Sequence, residues 1–188
     1  MHFEELSERY RGRRAKDYDS ERASSTSWLC EHNAVDAFLS EIPEGGTVLD
    51  IPLGTGRFIE LYAKHGLKPT GIDISTDMLA QAAGKAKDLG LEIELREGDI
   101  RAIAARDESF DAAVCIRFLN WVDFEGLKSA ITELTRVSNT LIVGLSCYLP
   151  PDARIDGFSL WQRLRGYKRR LKRRIQGQQL GDFHAEGF

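Results

Sequence analysis

The chain predicts a doubly wound α/β fold: a mostly parallel sheet of at least five strands with helices on both faces. Three observations carry this. Short apolar runs of strand length alternate with helix-periodic segments from residue 45 to about 146. Such alternation implies crossover connections between parallel strands. The first run, 47–51, is nearly continuous in apolar character, as in a strand buried on both faces. Three successive runs lead to an acid, Asp50, Asp73 and Asp99. Parallel strands place such acids along one sheet edge, where open α/β sheets bind ligands.

Length and composition bound the reading. A chain of 188 residues is expected to form one domain with a real core. No apolar run approaches the length needed to cross a bilayer. Met1 to Arg14 is highly charged and lacks the apolar region of a signal peptide, so the cytoplasm is the expected location. Cys30, Cys115 and Cys147 form no C-x-x-C pair and read as reduced thiols. No His/Cys/Asp/Glu cluster has metal-ligand spacing, so no metal is expected. We divide the chain into an N-terminal helical arm or lid (1–44), a ligand-binding core (45–149), and a basic amphipathic helix with its tail (150–188).

Residues 1–22 are dense in charge, with Arg11, Arg13, Arg14 and Lys16 ahead of Asp17-Tyr18-Asp19. Two roles are open for them: a solvated arm, or a lid that folds Tyr18 over the ligand crevice. Trp28, Leu29, Val35, Phe38 and Leu39 then make a helical apolar stripe over 27–39. Ser24, Ser25 and Thr26 are its N-cap candidates. Pro43 and Gly45-Gly46 break the chain.

The first strand is expected at 47–51, followed by the turn Pro52-Leu53-Gly54-Thr55-Gly56 and a helix near 57–65. Gly66 suits the position just past that helix, and His65 in its last turn suits a dipole or capping role. The second strand spans about 68–74. A helix over 76–89 follows, stopped by Gly90, then a third strand over 91–97. Residues 107–111 read as a turn, 112–116 as the fourth strand, 124–137 as a helix and 140–146 as the fifth strand.

Pro150-Pro151 ends the alternation. Residues 158–175 then form an amphipathic helical pattern, with Trp161, Leu164, Leu171 and Ile175 on one face. Within it, 163–174 holds eight basic residues and no acid. Three roles are weighed for it. A solvated helix covering the sheet edge or acceptor site is favoured over neutralising nucleic acid phosphates and over lying on an anionic membrane surface.

The glycine turn and the three acids carry the chemistry. The interval from Gly54 to Asp73 is close to the ~20 residues that separate a glycine turn from a ribose-binding acid in dinucleotide folds. A nicotinamide fingerprint needs a third glycine where Ile59 stands. A P-loop needs a Gly-Lys-Ser/Thr ending that this turn lacks.

At this point the chain resembles a family. Asp50-Ile-Pro-Leu-Gly-Thr-Gly56, Gly71-Ile-Asp-Ile74, Glu97-Gly-Asp-Ile100 and Ser109-Phe-Asp-Ala-Ala-Val-Cys115 resemble the successive motifs of class I S-adenosylmethionine-dependent methyltransferases, which have a Rossmann-like domain. The resemblance covers about 45–146. It implies S-adenosylmethionine as methyl donor and S-adenosylhomocysteine as product. It places Asp50, Pro52, Leu53, Gly54 and Gly56 against the methionine moiety and Asp73 on the ribose. Ile74 and Met78 flank the adenine, Asp99 accepts from its amino group, and Ile100 packs on the ring. Arg117 and Phe118 border donor and acceptor. Tyr18, Trp28, Arg117 and Trp121 are the acceptor-pocket candidates.

Pro52 departs from the family, which most often has its first glycine there; proline fixes φ and removes an N–H. The family's sheet usually ends in a two-strand hairpin after strand five, and that hairpin is expected to be missing here. Methyl transfer from a sulfonium needs alignment and water exclusion more than covalent help, so the sequence names no catalytic nucleophile or base. Arg117-Phe-Leu-Asn-Trp121 lacks the Asn/Asp-Pro-Pro-aromatic motif that often accompanies base amino methylation, and Cys147 follows Ser146 rather than proline. A small molecule is therefore the expected acceptor. The alternatives are a non-catalytic or truncated binder, and an enzyme acting at RNA or a membrane surface.

Overall fold

A computed structural model gives the fold, and residues 26–118 and 122–144 are those it describes. The elements are α1 (Thr26–Leu39), β1 (Thr47–Asp50), α2 (Ile59–Lys64), β2 (Lys68–Asp73), α3 (Thr76–Asp88), β3 (Glu94–Glu97), β4 (Phe110–Ile116), α4 (Phe124–Val137) and β5 (Ser138–Gly144). The chain divides into two units at Ser146, and the fold described here lies in the first. Tyr18, Trp121, Cys147, the basic segment and the expected missing hairpin lie outside the described residues.

The sheet has five strands in the order β3-β2-β1-β4-β5, and every pairing is parallel. The expected doubly wound, Rossmann-like architecture is therefore the one observed. From β1 the chain winds outward to β2 and β3, then crosses to β4 and β5. This makes β1/β4 the topological switch point, beyond whose carboxyl ends open sheets bind ligands.

Strand side chains alternate between the faces, and two cores result. Val48, Ala112 and Val114 pack with Val35, Phe38 and Leu39 of α1, Ile59 and Tyr62 of α2, and Ala82 of α3. Leu49, Ala113 and Cys115 pack on the other face with Ala130, Leu134 and Val137 of α4. Burying each Val or Leu stabilises by roughly 1.5–3 kcal/mol, so β1 and β4 anchor both layers. Gly71 allows close approach at the centre: an added Cβ would stand 2.4 Å from Leu53 Cδ2.

Helix starts are capped locally. Ser75 Oγ accepts from the Met78 N–H of α3 at 3.3 Å, and Asp123 Oδ1 accepts from the Gly126 N–H of α4 at 2.8 Å. His65 ends α2 as its cap residue, and its Nε2 lies 2.7 Å from Asp36 Oδ1.

Several boundaries differ from expectation for physical reasons. Leu29 is 55% exposed; it stands about 100° round α1 from Trp28, off the arc shared by Trp28, Val35 and Leu39. Tight turns occupy 54–58, with the Gly56 N–H donating to Leu53 O and the Ile59 N–H to Gly56 O, so α2 begins late. β3 starts at Glu94. β4 starts two residues early because Phe110 pairs with Ser138. β5 follows α4 without a loop, as the Ser138 hydroxyl donates to Leu134 O at 2.7 Å. Among the described residues no helix is long and apolar enough to cross a membrane.

Candidate functional site

The site begins where β1 runs out. The Ile51 N–H donates to Val114 O at 3.0 Å, and the Leu53 N–H to Ile72 O at 2.9 Å. These bonds tie the turn to both neighbouring strands. Pro52, which has no N–H to place, stands between the two donors, so the proline departure costs neither bond. Its peptide bond with Ile51 is cis.

The two turn glycines do different work. Gly54 (φ +59°) and Gly56 (φ +74°) both occupy the left-handed region, which L side chains enter at a cost. Around Gly54 no atom lies within 4 Å of an added Cβ, and Gly54 lines the main cleft. At Gly56 an added Cβ would meet Ile59 Cδ1 at 2.4 Å and Ala82 Cβ at 3.0 Å. Gly56 therefore lets α3 pack against the turn and does not line that cleft.

Asp73 closes β2 and braces the turn. Its Oδ2 accepts from the Gly54 N–H at 2.7 Å and its Oδ1 from the Ser75 N–H at 2.9 Å. Burial raises its pKa, opposed by these backbone donors. A carboxylate has about four lone-pair sites, so ligand hydroxyls can still donate to it. Asp50 is also buried, and its Oδ2 accepts from the Tyr62 hydroxyl at 2.7 Å. Burial pushes the Asp50 pKa up to about 8, against the Tyr62 hydrogen bond, with repulsion from Asp73 adding to the rise.

Asp99 follows β3 and is tied to Arg101. Its Oδ2 accepts from Arg101 Nη2 at 2.6 Å and Nε at 2.9 Å, and its Oδ1 from the Arg101 N–H at 2.9 Å. Behind it, Arg136 of α4 steadies the loop to β4. That guanidinium donates to Ile103 O at 2.9 Å, Ala105 O at 2.8 Å and Asp107 at 2.9 Å.

These groups meet in one cleft at the carboxyl edge of the sheet. Asp50, Pro52, Leu53, Gly54, Asp73 and Asp99 line it, as do the apolar Ile74, Met78 and Ile100. Arg117, Phe118 and Trp28 complete its other end. Thus eleven of the twelve residues expected at the donor site share this cleft, Gly56 being the exception.

Sequence reasoning missed Glu31, Arg57, Tyr62 and Arg101. Arg57 Nη1 donates to Glu31 Oε2 at 2.6 Å, its Nη2 donates to Trp28 O, and its guanidinium lies 3.5 Å from the Trp28 ring centre. Arg117 has φ +61°; its Nε donates to Glu31 at 2.8 and 3.1 Å, and it lies 5.1 Å from the same ring. Arg57 directly follows the glycine turn, a signal that was available. Glu31 lies one helical turn past Trp28, but nothing in the sequence linked it to the sheet edge. Cys115 is a core residue, its thiol pKa raised by burial. No group of three or more His, Cys, Asp or Glu gathers as metal ligands would among the described residues.

Comparison with known proteins fits this geometry. Residues 48–140 match the family model described as a methyltransferase domain. Phosphatidylethanolamine N-methyltransferase of Cereibacter sphaeroides is 39% identical over 95 residues, covering 50% of this chain and 45% of that protein. Demethylmenaquinone methyltransferase of Thermus thermophilus is 36% identical over 107 residues, covering 55% of this chain and 46% of that protein. The chain thus spans about half the length of the relatives it matches. A solved S-adenosylmethionine-dependent methyltransferase from Methanosarcina mazei superposes with a TM-score of 0.50 at 31% identity, covering 54% of this chain and 53% of that one. The motif order, the sheet order and these matches agree: the chain belongs to the class I S-adenosylmethionine-dependent methyltransferases.

Proposed function

We propose that the protein transfers a methyl group from S-adenosylmethionine to an oxygen or nitrogen of a small-molecule acceptor. The observation that carries this is the single cleft at the carboxyl edge of the sheet. It gathers the acids of three successive strands beside an open glycine turn.

The residues present fit the donor chemically. Asp73 would take ribose hydroxyls on its remaining lone pairs. Ile74, Met78 and Ile100 offer apolar surface for a purine ring, with Asp99 at its edge. Gly54 leaves open space where a side chain would stand, so a ligand can approach the backbone. Asp50 is a buried carboxyl whose ionisation a ligand ammonium would favour. When bound, the donor supplies an electrophilic methyl carbon and a neutral thioether leaving group. The chain's own task is then to align the acceptor and keep water out. Arg117, Phe118 and Trp28 stand at the β4 end of the cleft, where an acceptor would enter.

A small-molecule acceptor is supported by the relatives, one named for phosphatidylethanolamine and one for demethylmenaquinone. The test is calorimetry with S-adenosylmethionine and S-adenosylhomocysteine on the full chain, beside a turnover assay over a metabolite pool. Binding is expected, and Asp73→Asn should weaken it at least tenfold while the protein stays folded. No heat with either ligand refutes the reading. Binding without turnover would leave a donor-binding protein in its place.

A further inference from the structure

The cluster at the β4 end of the cleft has a chemistry apart from the groups expected at the ribose and adenine. Two guanidiniums, from Arg57 and Arg117, converge on one carboxylate, that of Glu31. Arg117 bridges both Glu31 oxygens through its Nε, at 2.8 and 3.1 Å. Both guanidiniums lie over the Trp28 ring, at 3.5 and 5.1 Å. Stacking on an aromatic face fixes the plane of a guanidinium and leaves its edge to bind oxyanions.

Arg117 also holds φ +61°. A bulky non-glycine residue keeps such a conformation only when its surroundings over-determine it. The backbone of this residue, the first past β4, is thus set in an uncommon conformation beside the cleft. Glu31 comes from α1, outside the sheet; its side chain is 21% exposed and that of Arg117 24%. The pair therefore stands where solvent, and hence a ligand, reaches it.

We propose that Arg57 and Arg117, stacked on Trp28, form a subsite for a ligand oxyanion, and that Glu31 fills it in the ligand-free protein. The oxyanion is a carboxylate or phosphate. It enters as Glu31 turns away, so two like charges never share the site. The inference rests on the proposed donor site only for which ligand brings the anion: the acceptor, or the amino-acid end of the donor. Asp99 follows β3 and Arg117 follows β4, three strand spacings apart across the sheet, or roughly 14 Å. This sets the cluster at the opposite end of the cleft from the acid expected at the adenine.

The probes are phenyl phosphate, its neutral counterpart benzyl alcohol, S-adenosylhomocysteine, and 5′-methylthioadenosine, which lacks the amino-acid end. Each is titrated calorimetrically into the full-length wild type, Glu31→Gln and Arg117→Lys. In the wild type, phenyl phosphate should bind and benzyl alcohol should bind at least tenfold more weakly. Glu31→Gln removes the competing charge and should tighten phenyl phosphate at least fivefold. Arg117→Lys keeps the charge but loses the planar edge and should weaken it at least fivefold.

If the tightening persists with S-adenosylhomocysteine already bound, the acceptor supplies the anion. If Glu31→Gln instead tightens S-adenosylhomocysteine but not 5′-methylthioadenosine, and phenyl phosphate competes with the former, the donor supplies it. Equal phenyl phosphate affinity in the wild type and Glu31→Gln, with no change for S-adenosylhomocysteine, overturns the proposal. So does benzyl alcohol binding as well as phenyl phosphate, a comparison that stands even if a variant fails to fold. Failure of S-adenosylhomocysteine to bind any form, with the Glu31→Gln effect on phenyl phosphate intact, would remove the donor site and keep this one.

Discussion

Asp50 offers a quantitative check on the site, because its burial ties stability to pH. Its pKa is raised from 3.8 to about 8, chiefly by desolvation. A folded-state pKa above the unfolded one means the folded protein holds the proton more tightly. The associated stability is full below the unfolded value and is lost as pH rises through the folded value. Between pH 5 and pH 7 Asp50 is protonated when folded and largely ionised when unfolded. One such group removes about 1.4 kcal/mol of stability per pH unit, hence about 3 kcal/mol over this interval. Asp50→Asn keeps the shape and an acceptor for the Tyr62 hydroxyl, and it does not ionise. Urea unfolding of both proteins at pH 5 and pH 7 reads the difference, in which the other carboxylates largely cancel. The variant should gain about 3 kcal/mol on the wild type across the interval. Parallel pH profiles, within about 0.5 kcal/mol, would refute the reasoning, since Asp50 would then be ionised in the folded cleft. The same proton gives a ligand-side readout. A cationic ammonium bound beside Asp50 should expel it, so calorimetry near pH 7 in buffers of different ionisation enthalpy should show release of close to one proton.

The glycines should separate stability from binding. Gly54→Ala should cost about 1–2 kcal/mol for the left-handed backbone and weaken S-adenosylhomocysteine at least fivefold. Gly56→Ala adds a clash with Ile59 and Ala82 and should lower stability by a further 1–3 kcal/mol or so, as denaturant titration will show. Arg136→Met removes the donors to Ile103 and Ala105. It should destabilise by about 1–2 kcal/mol and speed amide hydrogen exchange across 99–107, leaving β1 protected. In a Cys147→Ser background, a thiol reagent should label exposed Cys30 in the native protein and reach buried Cys115 only on unfolding.

The architecture was legible because it depends on signals the sequence carries locally. Val48 and Leu49 are apolar neighbours that must face opposite layers, which announces a strand covered on both sides. Asp50, Asp73 and Asp99 at successive strand ends announce a shared edge. Boundaries were less legible where pairing decides them: Phe110 is strand because Ser138 lies beside it, and nothing within 109–112 says so. Gly54 and Gly56 look alike in sequence, yet one faces the cleft and the other faces Ala82, a partner supplied from α3. The three acids all line the cleft, but their engagement was not legible. Asp73 braces Gly54, Asp50 meets Tyr62, and Asp99 is gripped by Arg101, since each partner is chosen by packing rather than spacing. Glu31 is the extreme case. It is 86 residues from Arg117 and carries no motif, yet it joins α1 to the carboxyl edge of the sheet. A motif can state what a site binds when the contacts come from the turn and strands that carry it. What the far end of the cleft accepts depends on side chains brought in from α1, and there the folded arrangement is the earliest source of information.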